Sequence, residues 1–255
     1  MERYYRLERA GKTFYGLEEA GQVRVLVGDI FCEYVKTDQV VDLAECRILP
    51  PVLPKKVLCI GLNYSDHAAE VGAALPKEPV IFMKPTTTVI GDGAAILHRA
   101  DWVQRLDYEA ELAIVIGKKC YAVKEENAGQ YIFGYTCAND VTARDLQPQD
   151  GQWTLAKCFD TFCPLGPALV RGIEPGALDI RLYLNGELRQ QSNTKNLIFK
   201  VPQIVSYLSQ AMTLEPGDVI ITGTPSGIGN MVDGDEVVVE IEGLGRLRNV
   251  VKRIE

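Results

Sequence analysis

Histidine is almost missing from this chain: 255 residues hold two, His67 and His98. Neither stands at ligand spacing from a cysteine, which argues against a zinc site. The seven cysteines are odd in number and include no Cys-x-x-Cys pair. No disulfide framework is expected, and Cys59, Cys120 and Cys137, set in apolar runs, read as small buried hydrophobes. An excess of positive charge is lacking too. The formal net charge is −7, which argues against nucleic acid or an anionic membrane as the main partner. No apolar run approaches the ~20 residues of a membrane-spanning helix. The first residues do not read as a signal peptide, so the expected location is the cytoplasm.

What is present, 47% hydrophobic and 24% charged residues, is the composition of a globular chain with a sizeable core. Residues 1–48 read as a β-meander, with runs Tyr4–Glu8, Thr13–Leu17 and Val23–Val27 parted by turn residues. The proline-rich Leu49–Pro54 reads as an extended connector. A small N-terminal β-rich domain over 1–54, with no titratable cluster, and a larger domain over 55–255 are expected. Beyond the connector, strands are expected over Lys56–Leu62, Pro79–Lys84, near Ile90, and over Glu109–Gly117, Tyr131–Cys137, Val219–Thr222, Glu236–Glu242 and Arg246–Lys252. Asn185-Gly186 between alternating residues marks a hairpin over Ile180–Arg189. Helices are expected over Ser65–Val71, over Val141–Gln147 with Asn139 or Asp140 as cap, and over Pro202–Met212. Many strands with few, short helices make the chain mainly β, of the α+β class, and not a doubly wound sheet.

The run Glu109–Gly117 carries the most chemistry. Period two puts Glu109 and Glu111 on one face with Ala113 and Val115, while Tyr108, Ala110, Leu112 and Ile114 face the other way. Two carboxylates this close repel each other unless protonated or bridged by a cation, and oxygen ligands suit Mg²⁺, Mn²⁺ or Ca²⁺. The plain alternative is two solvated glutamates on an edge strand. Asp140 is either a helix cap or a further ligand. Asp140, Arg144 and Gln147 would share one face of the expected helix, where Arg144 and Gln147 could meet an acidic substrate; an ordinary Asp–Arg pair is the alternative.

Lys157 stands in an aromatic, apolar segment and either snorkels to water or meets an anion. Thr222–Gly229 is a glycine-rich turn without a Walker lysine. It is either a plain loop or a cradle in which the backbone and the Thr224 hydroxyl hold a carboxylate. His67 and Glu70, three apart on a helix, form either a surface pair or a general base with its orienting carboxylate. His98 has no local partner and reads as structural.

Together, Asn63-Tyr64-x-Asp66-His67-x-x-Glu70, Lys84-Pro85, Asp107-Tyr-Glu109-Ala-Glu111, Asn139-Asp140-Val-Thr-Ala-Arg144-Asp-x-Gln147, Lys157-x-x-Asp160-Thr-x-x-Pro164 and Gly223-Thr-Pro-x-Gly-Ile-Gly229 resemble the fumarylacetoacetate hydrolase family over about residues 55–250. The resemblance implies a mixed β-sandwich roll, with Mg²⁺ or Mn²⁺ at Glu109, Glu111 and Asp140. It implies substrate contacts at Arg144, Gln147, Lys157 and Thr224, an acid/base pair of His67 and Glu70 on a mobile lid over 65–75, and a homodimer. The first fifty residues resemble the small extra domain of many bacterial members. Asn63 stands where animal members carry an additional metal-binding aspartate, which points to a smaller-substrate branch.

The resemblance further implies a hydrolase that cleaves the C3–C4 bond of acylpyruvates through a metal-stabilised enolate. Lys157 would be a second positive group and His67 would activate water. Oxaloacetate decarboxylation and 2-hydroxydienoate isomerisation share that enolate and are the alternatives. A member that binds a small 2-oxo acid without catalysis is the reading from another class.

Overall fold

The computed structural model describes residues 1–70, 72, 74–148 and 151–255. Strand Ala110–Ile116 lies inside a twelve-stranded mixed sheet. It pairs antiparallel with Ile132–Asn139 on one side and with Val219–Ile221 on the other. Val219–Ile221 runs parallel to Val57–Gly61, and Val80–Lys84 closes that edge. Both faces of these central strands are covered, which is why they read as nearly unbroken apolar runs. Leu58, Ile60, Leu112, Ile114 and Ile220 enter one core, while Val57, Cys59, Ala113, Val115, Val219 and Ile221 enter another. The period-two alternation expected from sequence is thus real, with two interiors in place of one interior and solvent.

A five-stranded sheet covers the first core. Its order is Glu187–Asn193, Asp179–Leu184, Glu236–Ile241, Gly245–Ile254 and Ala95–Arg99. It contributes Ile180, Leu182, Val237, Val239 and Leu247. The hairpin at Asn185-Gly186 forms as expected, with Asn185 at φ 52° and Gly186 at φ 81°.

The described residues hold three α-helices: α1 (Ser65–Glu70), α2 (Thr154–Lys157) and α3 (Val201–Ala211). The last packs Ile204, Val205 and Leu208 into the first core, each worth about 1.5–3 kcal/mol of apolar burial. The mainly β fold with few, short helices is the one expected. Helix α1 is described over Ser65–Glu70; Val71 of the expected helix, and Ala73 of the expected lid, lie outside the described residues. No helix among the described residues is long and apolar enough to cross a membrane.

The N-terminal strands extend the large sheet. Glu2–Arg9 pairs with Cys163–Arg171, and Lys12–Glu19, Gln22–Gly28 and Tyr34–Val41 follow in order. Strand Tyr34–Val41 is not signalled by sequence. Lys36, Asp38 and Gln39 interrupt its apolar pattern, as suits a sheet edge exposed to water.

The helix expected over Val141–Gln147 is absent. Thr142–Ala143 instead pairs as a strand with Leu106–Asp107, and a 3₁₀ turn follows over Arg144–Leu146. Val141 and Thr142 are β-branched, and the neighbouring strand offers their backbone a partner. Arg144 N–H donates to the Arg105 carbonyl at 2.8 Å and Asp140 N–H to the Glu109 carbonyl at 2.9 Å. Asn139 and Asp140 therefore cap nothing. The Asn139 side-chain oxygen accepts from Glu109 N–H at 2.9 Å.

Candidate active site

At the N-terminal end of strand Ala110–Ile116 the second core turns polar. Glu111 continues the face of Ala113, and Glu109 precedes the strand by one residue. Both are buried, at 4% and 2% exposure for Glu109 and Glu111, which removes the solvated edge-strand alternative. Asp140 arrives from the adjacent strand end. One oxygen from each of the three carboxylates lies within 4.8 Å of the others.

Three cations compensate this charge. The Lys157 ammonium, carried at the end of α2, donates to Glu109 Oε2 at 2.9 Å and to Asp140 Oδ2 at 2.6 Å. Arg144 donates to Glu109 Oε1, to Asp107 Oδ2 and to Gln147 Oε1. Lys84 lies on the far side of Asp140, 2.6 Å from its Oδ1. Burial would raise the Glu109 carboxyl, but Lys157 and Arg144 outweigh it and hold Glu109 well below the usual range. Glu111 goes the other way. Burial, then the charges of Asp140 and Glu109, push it well up, and Lys157 offsets only part. Burial alone would lower Lys157 and Arg144; their carboxylate partners hold both above their ordinary values.

Helix α1 brings His67 into the cavity that these carboxylates line. Its Nδ1 sits 3.0 Å from Glu70 Oε2, and the ring is buried while Glu70 is partly exposed. The glycine-rich turn ties α1 down. Gly227 N–H donates to Glu70 Oε1 at 2.8 Å, and the Ser226 hydroxyl donates to Asp66 Oδ2 at 3.2 Å. The same turn gives Gly223 N–H to Glu111 Oε2 at 2.6 Å. Gly223 has φ +98°, and a Cβ there would lie 2.8 Å from the Asn63 Cβ. The turn is thus a carboxylate cradle, and the carboxylates it holds are the protein's own.

A cavity of ≈ 500 Å³ is lined by His67, Glu109, Glu111, Asp140, Arg144, Gln147, Lys157 and Thr224. Every site residue proposed from sequence except Glu70, which stands behind His67, meets there. Arg144 and Gln147 do so without the expected helix face. Thr224 Oγ1 accepts from Gln190 Nε2 at 2.9 Å. Ile60, Leu62, Phe82, Pro148 and Trp153 form an apolar wall, with Phe82 and Trp153 edge to face at 5.3 Å. Asn63 is fully engaged elsewhere, with its amide bonded to Phe199 N, Phe199 O and Thr222 O. His98 is structural, its Nε2 donating to the Val103 carbonyl at 2.8 Å.

Sequence reasoning gave no role to Lys84, Asp107 or Gln190. Lys84 ends an apolar strand, the same signal that singled out Lys157. Asp107 is two residues before Glu109, holds both Arg105 and Arg144, and is fully buried. Gln190 is a buried polar position in the hairpin; it accepts from Ala110 N–H at 2.9 Å and so braces the carboxylate strand.

The donors suit a hard divalent cation. All are carboxylate oxygens, they converge, and Glu111 is a carboxyl whose charge the protein alone does not stabilise.

The family model for the fumarylacetoacetate (FAA) hydrolase C-terminal domain matches residues 56–252, and an Rv2993c-like N-terminal model matches residues 2–51. This chain belongs to the fumarylacetoacetate hydrolase family. An uncharacterised member from Archaeoglobus fulgidus is 55% identical over 84% of this chain and 86% of its own. The oxaloacetate tautomerase YisK of Bacillus subtilis is 41% identical over 82% of this chain and 74% of its own. The solved structure of the 2-hydroxyhepta-2,4-diene-1,7-dioate isomerase from Mycobacterium marinum is 40% identical, covers 99% of both chains and has a TM-score of 0.92.

Proposed function

We propose that this family member moves a proton at C3 of a 2-oxo acid of the oxaloacetate type, interconverting its keto and enol forms. The observation that carries this is one cavity lined both by His67, whose Nδ1 is paired with Glu70 behind it, and by a buried carboxylate cluster. Bound at Glu109, Glu111 and Asp140, Mg²⁺ or Mn²⁺ would supply Lewis-acid polarisation of the 2-oxo group. His67 would take the proton from C3 and return it to the 2-oxo oxygen, with Glu70 fixing the ring through Nδ1. Lys157 would place positive charge beside the substrate carboxylate, and Arg144, Gln147 and Thr224 would orient it. A tautomerase relative at 41% identity and an isomerase relative at 40% support a proton-transfer reaction.

Hydrolysis of acylpyruvates is the second reading. The wall of Phe82 and Trp153 and a cavity of ≈ 500 Å³ offer apolar room for an acyl group. His67 would then activate water in place of moving the C3 proton. The two readings separate on a panel of enol oxaloacetate and acetylpyruvate with Mn²⁺. Enol loss should be accelerated, and His67→Ala should slow it by about 10²–10⁴-fold while Mn²⁺ binding persists. Acetylpyruvate cleavage far faster than enol loss would establish the hydrolase instead. Turnover of neither substrate would defeat both.

A further inference from the structure

Each carboxylate of the cluster has one oxygen engaged by a group other than Lys157. Arg144 takes Glu109 Oε1, Gly223 N–H takes Glu111 Oε2, and Lys84 stands 2.6 Å from Asp140 Oδ1. Glu109 Oε2, Glu111 Oε1 and Asp140 Oδ2 remain, and Lys157 bridges the first and last of these. The three locks differ in kind. Gly223 acts through its backbone and Arg144 lines the cavity, but Lys84 is buried out of the cavity's reach, at 1% exposure. Its ammonium is anchored by the Val141 carbonyl at 3.0 Å and the Phe162 carbonyl at 2.7 Å, so it cannot swing away. The contact with Asp140 is ionic and not an aligned hydrogen bond, since Oδ1 accepts none. Its effect is electrostatic. Lys157 stands equally close to Asp140 Oδ2 but lines the cavity, where it can yield its place to an ion. Lys84 is held outside the cavity by its two carbonyls, and its charge repels a dication from Oδ1.

We propose that Lys84 sets the ion preference of this site by closing one oxygen of Asp140 and holding that carboxylate to single-oxygen ligation. The proposal rests on the metal reading above and goes beyond it. Mg²⁺ and Mn²⁺ suit six positions with carboxylates bound through one oxygen. Ca²⁺ prefers six to eight oxygens and gains from carboxylates that give both. A site whose carboxylates each keep one oxygen back favours the smaller ions, and Lys84 is the buried side chain that enforces this at Asp140.

The test is calorimetric binding of Mg²⁺, Mn²⁺ and Ca²⁺ to the EDTA-stripped full chain, without substrate, for wild type, Lys84→Met and Lys84→Arg. Thermal unfolding is measured on each. Wild type should bind Mn²⁺ more tightly than Ca²⁺. Lys84→Met should move the Ca²⁺-to-Mn²⁺ affinity ratio toward Ca²⁺ by about tenfold or more, the scale on which partners of metal ligands act. Lys84→Arg, which keeps the charge, should stay near the wild-type ratio. A folded Lys84→Met with the wild-type ratio overturns the proposal, and so does a wild type that prefers Ca²⁺, a result that decides the matter even if neither variant folds. Wild type binding no divalent ion removes the metal reading itself, an outcome distinct from a failed ratio.

Discussion

Glu111→Gln offers a test in which stability and metal binding move apart. Glu111 is buried beside Asp140 and Glu109, and its carboxyl is pushed well above its ordinary value of 4.5. The folded protein therefore holds this proton more tightly than the unfolded chain does. The group's stabilising contribution is fully present below pH 4.5 and is lost as pH rises toward the folded value, at about 1.4 kcal/mol per pH unit. Glu109 acts in the other window. Its carboxyl is depressed, so its contribution is present above 4.5 and lost only below.

In Glu111→Gln the carbonyl oxygen can keep the Gly223 N–H, and the new amide can donate toward Asp140 or Glu109 where the carboxylate repelled them. The metal-free variant should thus be no less stable than wild type near neutral pH, and its loss of stability with rising pH should be shallower. The gain from metal should vanish. At a hundredfold excess over Kd, Mn²⁺ stabilises a folded protein by about 2.7 kcal/mol, or about 5–10 °C in a chain of this size. Thermal unfolding from about pH 5 to pH 8, with EDTA or with Mn²⁺, reads both effects. A variant that keeps the full Mn²⁺ shift, or whose metal-free pH slope matches wild type, would refute the reasoning.

Two further outcomes are expected. Lys157→Met leaves Glu109 and Asp140 without the ammonium between them, and should cost about 3–5 kcal/mol in EDTA; Mn²⁺ should recover most of it in urea unfolding, and an equal deficit with and without the ion would contradict the shared role. Gly61→Ala places a Cβ 2.4 Å from the Trp153 ring, so it should cost about 1–3 kcal/mol, shift tryptophan emission and lower turnover, because Trp153 opens the helix that carries Lys157; unchanged emission would mean that the wall yields freely.

Alternation along the chain was enough to assign the faces of Ala110–Ile116, and apolar runs marked Val57–Gly61 and Val219–Ile221 as strands. Side-chain period is a local property of an extended backbone, and it put Glu109 and Glu111 together before any fold was known. Spacing likewise paired His67 with Glu70, and the ordered motifs named the family. What sequence did not determine is everything that depends on which strand lies beside which. Val141–Gln147 has helical spacing, yet an open strand edge at Leu106–Asp107 captured Thr142 and Ala143, so Arg144 reached Glu109 by a turn and not along a helix face. Only packing set the Lys84 ammonium behind Asp140 and the Lys157 ammonium in front of it, 73 residues apart in sequence. Local periodicity fixes the direction of a side chain. Long-range sheet pairing decides which donor meets which carboxylate oxygen, and the chemistry of this site follows from that choice.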